Sequence, residues 1–211
     1  MKKIYVFDLD GTLVDSMKNF EKGMLKIADD AGLEYDETLI KILTPLGYTK
    51  SAEYYTSVLG VPDTVENIVK RIEENLFFEY ANNIVAKPSV PEYLKRLHSE
   101  GARLFVLTAS PHMMTDVCLK RNGIYDLFEK VWSVDDFGLS KSDTPLFFEV
   151  AKAIGCEPSD INYFDDSLIA LANAKKSGYI TYGVYDAQNE EEVALMKREY
   201  SVFVKTFADL M

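Results

Sequence analysis

Cysteine is nearly absent from this chain. Cys118 and Cys156 lie far apart and lack metal-ligand spacing, which argues against a disulfide framework or a thiolate zinc site and for free thiols in a reducing compartment. Positive charge is also short: 23 Lys and Arg stand against 34 Asp and Glu, giving a formal net charge of −11 and a pI of about 4.7. Long-range steering therefore repels phosphate-rich polymers, and no nucleic acid polymer is expected as a partner. Any anionic substrate has to be captured locally, by a metal, a lysine or backbone amides. No apolar run approaches the roughly 18 residues of a membrane span, so no membrane partner is expected. The apolar stretch after the initial Met-Lys-Lys is too short for a signal-peptide core, and a cytoplasmic location is the expectation. Internal repeats and low-complexity segments are missing too.

What is present is an ordinary globular composition, 47% hydrophobic and 27% charged over 211 residues, enough for one domain or a core with a modest insertion. Strand-like runs occur at 3–7, 103–108 (RLFVLT), 131–134 (VWSV), 161–164 (INYF) and 179–184 (YITYGV). Helical patterns separate the later ones. VPEYLKRLHSEG ends at Gly101; DTPLFFEVAKAIG starts at Asp143 or Thr144 with Pro145 in its first turn and ends at Gly155; SLIALANAKKSG ends at Gly178. Strands alternating with helices imply an α/β fold, a parallel sheet with helices on both faces. Residues 16–86 break that rhythm, with helical periodicity and no convincing strand. The expected organisation is an α/β core of residues 1–15 and 87–211 with an all-helical insertion at 16–86, whose two short crossings can act as a hinge.

The first strand, Ile4 to Phe7, ends in two carboxylates, Asp8 and Asp10, followed by Gly11 and Thr12. In open α/β sheets ligands bind beyond the carboxyl ends of the strands. Two further strands finish at reactive residues there, one at Thr108–Ala109–Ser110 and one at Asp165–Asp166–Ser167. Residues two apart on an extended chain point to one side, with α-carbons roughly 6–7 Å apart, so four carboxylates can converge on one sheet edge. Two like charges 4 Å apart repel by about 4 kcal/mol at an effective dielectric of 20. A hard divalent cation such as Mg²⁺, held by oxygen ligands, is the natural remedy. One aspartate can then serve as nucleophile through an aspartyl-phosphate, and a second, two residues on, as general acid and then base.

With these pieces in place, the sequence resembles the haloacid dehalogenase-like (HAD) hydrolases, in the branch whose helical cap follows the first strand, over nearly the whole chain. The resemblance implies a Rossmann-like core and a role for each motif. FDLDGTLVDS implies Asp8 as nucleophile and metal ligand, and Asp10 as acid/base with its backbone carbonyl on the metal. LTAS implies that the Thr108 hydroxyl and the amides of Ala109 and Ser110 hold phosphate. Lys141, in LSKSDTPLF, would neutralise nucleophile and phosphate, and Asp165 and Asp166, in YFDDS, would surround Mg²⁺. Four positions depart from the family pattern: Ser142 and Thr144 stand where prolines are usual, and Asn173 and Ser177 replace alanines. Asp10 is the acid that a phosphate-ester leaving group needs, which favours a phosphatase or a phosphomutase over the dehalogenase branch. The histidine expected near the start of a β-phosphoglucomutase-type cap is Phe20 here, which counts against the mutase.

Among lesser candidates, Lys50 falls where related caps place a basic substrate contact, in a segment with 7 basic and 12 acidic residues over 16–86. Tyr48, Tyr54 and Tyr55 are read as packing residues, His112 as a helix-start residue beside the second motif, His98 as surface and Trp132 as core. Asp15 and Ser16 shape the exit into the helical segment, Ser16 as an N-cap, and Glu190–Glu192 as a solvated helix start. The sequence thus points to a Mg²⁺-dependent phosphomonoester hydrolase for a small phosphorylated metabolite. A sugar phosphomutase and a catalytically silent phosphate-sensing module are the alternatives, and oligomeric state is not legible.

Overall fold

The computed structural model describes residues 3–187, 192–200 and 202–211. The chain divides into two compact units, Met1–Asp15 with Val85–Met211, and Ser16–Ile84.

The first unit is built on a parallel sheet. Its strands are β1 (Ile4–Phe7), β4 (Arg103–Thr108), β5 (Lys130–Ser133), β6 (Ile161–Asp165), β7 (Ile180–Val184) and β8 (Val202–Val204), in the spatial order β5-β4-β1-β6-β7-β8. Central β1 is buried along its whole length, as an apolar run covered on both faces should be. The pleat sends alternate residues to opposite faces. Ile4, Val6, Leu107 and Tyr163 join one core with Phe147 and Leu171. Phe7, Phe164 and Tyr182 form an aromatic row on the other, with ring centroids 4.8 Å (Phe7–Phe164) and 4.2 Å (Phe164–Tyr182) apart.

Five helices belong to this unit among the described residues: α5 (Val90–Ser99), α6 (His112–Arg121), α7 (Thr144–Ile154), α8 (Leu168–Lys176) and α9 (Val193–Glu199). α7 has Pro145 in its first turn, where no amide partner is lost, and stops at Gly155, left-handed at φ 78°. The Ser167 hydroxyl caps α8 by accepting from the Ala170 amide.

Register decides what meets at the carboxyl edge. Phe7 pairs with Val106 on one side and Phe164 on the other. The next residues along, Asp8 and Asp165, therefore leave the sheet as neighbours.

Two short strands escape the sequence reading. β2 (Val14–Asp15) pairs antiparallel with β3 (Val85–Ala86), so the helical unit stops at Ile84 and not at Ala86. Two-residue strands are too short to carry a period. The three-residue β8 is missed for the same reason.

The second unit is helical: α1 (Met17–Asp30), α2 (Thr38–Leu43), α3 (Gly47–Ser57) and α4 (Val65–Asn82). Ile68, Ile72 and Leu76 repeat at helical spacing and are buried, as are Met24 and Ile27 of α1. α1 and α4 approach closely at Gly23, where a Cβ would lie 2.7 Å from Leu76 Cδ2.

Ser16 occupies the N-cap position of α1 but does not cap it. Its backbone is already helical (φ −99°, ψ −20°), so its hydroxyl does not reach back to the first-turn amides, and it is buried without a hydrogen-bond partner. Of the acidic run, Glu192 precedes α9, while Glu190 and Glu191 lie outside the described residues. Among the described residues no helix is long and apolar enough to cross a membrane.

Candidate active site

The chain beyond β1 is locked into a tight turn. The Asp8 amide continues the sheet by donating to the Phe164 carbonyl (2.9 Å), and the amides of Thr12, Leu13 and Val14 all converge on the Leu9 carbonyl. Gly11 is left-handed (φ 77°), and a Cβ there would come within 2.5 Å of Asp166 Oδ2. Only glycine fits both the backbone and the neighbour at this position. The Gly11 carbonyl accepts a hydrogen bond from Lys87 Nζ, which also donates to the Tyr185 carbonyl (2.8 Å) and to Asp186 (2.9 Å).

Asp8, Asp165 and Asp166 are buried together, and each can offer one oxygen to a common point, these atoms lying within 4.8 Å of one another. Lys141 reaches into the cluster from the turn before α7. Its ammonium donates to Asp8 Oδ1 and to Asp165 Oδ2, the latter at 2.9 Å. Asp165 is held from three directions, accepting also from the Tyr163 hydroxyl and from the Ser167 amide (2.8 Å). Asp166 accepts from the buried Thr12 hydroxyl at 3.0 Å. Within the triad, one ammonium is bonded to two of three neighbouring carboxylates, so the carboxylates repel one another when all are ionised.

The proton affinities record that imbalance. Burial pushes Asp8 well above the usual carboxylate range; Lys141 draws it back, while Asp165, Asp166 and Asp10 push it further up. Asp166 is pushed up to about 7, chiefly by burial and then by Asp165, against the Thr12 hydrogen bond and Lys141. Burial works against the charge of Lys141, but Asp165 and Asp8 more than offset it and hold the ammonium above its ordinary value. A site of three grouped, buried carboxylate donors fits a hard divalent cation, and the donor set suits Mg²⁺.

The second strand end belongs to β4, the direct neighbour of β1 in the sheet. Thr108, the last residue of β4, is buried and its hydroxyl accepts from the Ser110 amide (3.0 Å). Ser110 donates to Asp10 Oδ2 at 2.6 Å, which brings together the second aspartate of the first motif and the LTAS segment. Ala109 is exposed, as is Lys50 on α3 in the helical unit. His112 starts α6 and shares a 2.9 Å contact with Asp136; His98 is exposed. Trp132 is buried against Phe105. Tyr55 is buried and donates to the Met24 carbonyl, while Tyr48 and Tyr54 are half-buried.

Sequence reasoning overlooked Thr12, Tyr163, Asn173 and Lys87 as residues that hold this site. Thr12 stood inside the quoted DLDGT; Tyr163 looked like one more apolar strand residue; Lys87 marked only a boundary. All four departures from the family pattern make hydrogen bonds, and three of them, Thr144, Asn173 and Ser177, bond to one another. Ser142 donates its amide to Ser140 Oγ, Thr144 donates to Asn173, and Ser177 donates to the Thr144 carbonyl.

Residues 5–184 match the haloacid dehalogenase-like hydrolase family. The chain belongs to that family. A phosphorylated carbohydrates phosphatase of Thermotoga maritima is 24% identical over 191 residues, covering 90% of this chain and 88% of that protein. Two solved structures share the fold. CbbY of Rhodobacter sphaeroides in complex with phosphate aligns with a TM-score of 0.80 at 18% identity, covering 100% of this chain and 96% of that one. YfnB of Bacillus subtilis bound to magnesium aligns at 0.79 and 14% identity, over 99% of this chain and 96% of that one.

Proposed function

We propose that the chain is a Mg²⁺-dependent phosphomonoester hydrolase that acts on a small phosphorylated metabolite through an aspartyl-phosphate at Asp8. The observation that carries this reading is the placement of Asp8 at the end of the central strand, bonded to Lys141 and within the acidic triad with Asp165 and Asp166. Related phosphatases of phosphorylated carbohydrates support the substrate class. Asp8, Asp166 and Asp165, with the Asp10 carbonyl, would hold Mg²⁺, which would supply positive charge that keeps the carboxylates ionised and offsets charge on phosphate oxygens.

The protein's own groups perform the transfer. An Asp8 oxygen attacks phosphorus in line, a phosphorus–Asp8 bond forms, and the ester bond breaks with its electron pair on the leaving oxygen. Asp10 gives that oxygen a proton. Asp10 then takes a proton from water as the water oxygen bonds to phosphorus, and the bond to Asp8 breaks to free inorganic phosphate and restore both carboxyl groups. Thr108 and the amides of Ala109 and Ser110 are assigned to the phosphate, Lys141 to charge neutralisation, and Lys50 with the helical insertion to substrate selection.

The test is release of inorganic phosphate from a panel of phosphorylated metabolites, with Mg²⁺ and with chelator, beside Asp8→Asn. Metal-dependent release that disappears in the variant is expected. Undiminished release by the variant overturns the mechanism, and a product that retains its phosphate marks a mutase.

A further inference from the structure

The lysine of the site sits on a turn whose geometry is fixed from outside by a polar relay. Asn173 projects from α8 and is nearly buried, 8% exposed. Its side-chain amide donates to the Lys141 carbonyl (3.4 Å) and the Ile169 carbonyl (2.9 Å), and its oxygen accepts from the Thr144 hydroxyl at 2.7 Å. Ser177, one turn further along α8 and also buried, donates to the Thr144 carbonyl (3.2 Å) and the Asn173 carbonyl (3.0 Å). Both ends of the Lys141 turn are therefore tied to one helix, at Lys141 itself and at the first residue of α7.

The same helix is anchored at the site. Ser167 caps α8 with its hydroxyl, and its amide donates to Asp165, the carboxylate that receives the Lys141 ammonium. The relay closes a ring: Lys141 carbonyl to Asn173, along α8 to Ser167, to Asp165, and back to Lys141 Nζ. A long, flexible lysine side chain is a poor positioning device unless its backbone is fixed, and reacting groups lose rate steeply when misplaced by about 1 Å. A buried asparagine with both ends satisfied fixes that backbone in one direction only, because any shift leaves polar atoms unpaired.

We infer that Asn173, oriented by Thr144, is a positioning residue that sets where Lys141 places its charge on the nucleophile. This inference rests on the phosphatase reading for its kinetic readout and on the hydrogen bonds alone for its structural one. Asn173→Ala lowers kcat about tenfold with KM changed less than about twofold. Thr144→Val lowers kcat less, and Thr144→Ser restores it. In a Lys141→Ala background, Asn173→Ala has no further effect, because the group it positions is gone. Multiplicative losses in that background, or unchanged kcat in a folded Asn173→Ala protein, overturn the proposal.

Amide hydrogen exchange separates this inference from the activity. The amides of residues 139–144 exchange about tenfold faster in Asn173→Ala and in Thr144→Val, while β6 keeps its protection. If the wild type releases no phosphate, the phosphatase reading fails and the exchange result alone decides the relay. Unchanged exchange across 139–144 in both variants overturns it. Should Asn173→Ala not fold, Thr144→Val and its rescue by serine carry the test.

Discussion

Two buried carboxylate sites, one in each unit, show opposite treatments of charge. In the helical unit Glu79 is 4% exposed and fully surrounded by donors: Asn19 (2.8 Å), Lys22 (2.7 Å) and Asn83 (2.6 Å). Burial alone would raise its proton affinity, but the hydrogen bonds from Lys22, Asn19 and Asn83 more than offset this and hold it below the usual glutamate value. At the sheet edge Asp8, Asp165 and Asp166 share one lysine, and burial with mutual repulsion drives Asp8 and Asp166 upward. The first arrangement is complete and serves the fold. The second keeps like charges in mutual contact, an arrangement that a bound cation would relieve.

The contrast breaks most sharply at Asp8. Asp8→Asn should reduce phosphate release by more than about a thousandfold while the metal-free protein melts at the same temperature or higher, because a repelling charge has been removed. A large drop in melting temperature would place Asp8 with Glu79, as a structural carboxylate. Chelator should lower wild-type release by about a hundredfold or more, restored by Mg²⁺. Lys141→Met should follow, with a loss of about a hundredfold in kcat, since it removes the ammonium bonded to both Asp8 and Asp165.

Glu79→Ala carries the reverse signature. It strands three donors in a buried place and should destabilise the fold by about 3 kcal/mol in chemical denaturation.

The two sites also differ in the sign of their pH dependence. Glu79 has a depressed folded pKa, so its contribution is present above the unfolded value of about 4.3 and is lost as pH falls through the lower folded value. Asp166 has a raised one, so with chelator present its effect runs the other way: stability declines as pH rises from about 4 to about 7. Melting curves of Glu79→Gln and Asp166→Asn against pH check both slopes. The smallest effect concerns burial without charge pairing. Cys118 is fully buried and its thiol is pushed up to about 12, so it should stay unmodified by a thiol reagent at pH 8 under conditions where half-buried Cys156 reacts.

Much of the fold is legible in the chain because the core elements are long enough to show a period. The runs at 103–108 and 161–164 coincide with β4 and most of β6, and α7 begins and ends at the Asp143, Pro145 and Gly155 signals. β2, β3 and β8 are invisible for the opposite reason: two or three residues carry no alternation, and only their partners make them strands. Ser16 shows a different failure. Residue type suggested a cap, but capping needs an extended backbone at that position, and the chain enters α1 already helical.

The candidate site divides along the same line. Asp8, Asp10, Thr108, Asp165 and Asp166 could be picked out because each stands at the end of an apolar run, a local pattern. The role of Asn173 could not. Alone it looks like a polar residue replacing an alanine, and its meaning depends on Thr144 and Lys141, 29 and 32 residues away.

By itself, then, the sequence determined the alternation of strands and helices, the helical character of the insertion and the strand ends that carry carboxylates. These follow from local propensity and periodicity, which act over a few residues. Only the tertiary structure decided that Asp8 and Asp165 emerge side by side, that one lysine serves them both, and that Glu79 meets donors where Asp8 also meets other carboxylates. The balance of charge in a buried place is a sum over neighbours from distant parts of the chain, and strand register and helix packing choose those neighbours.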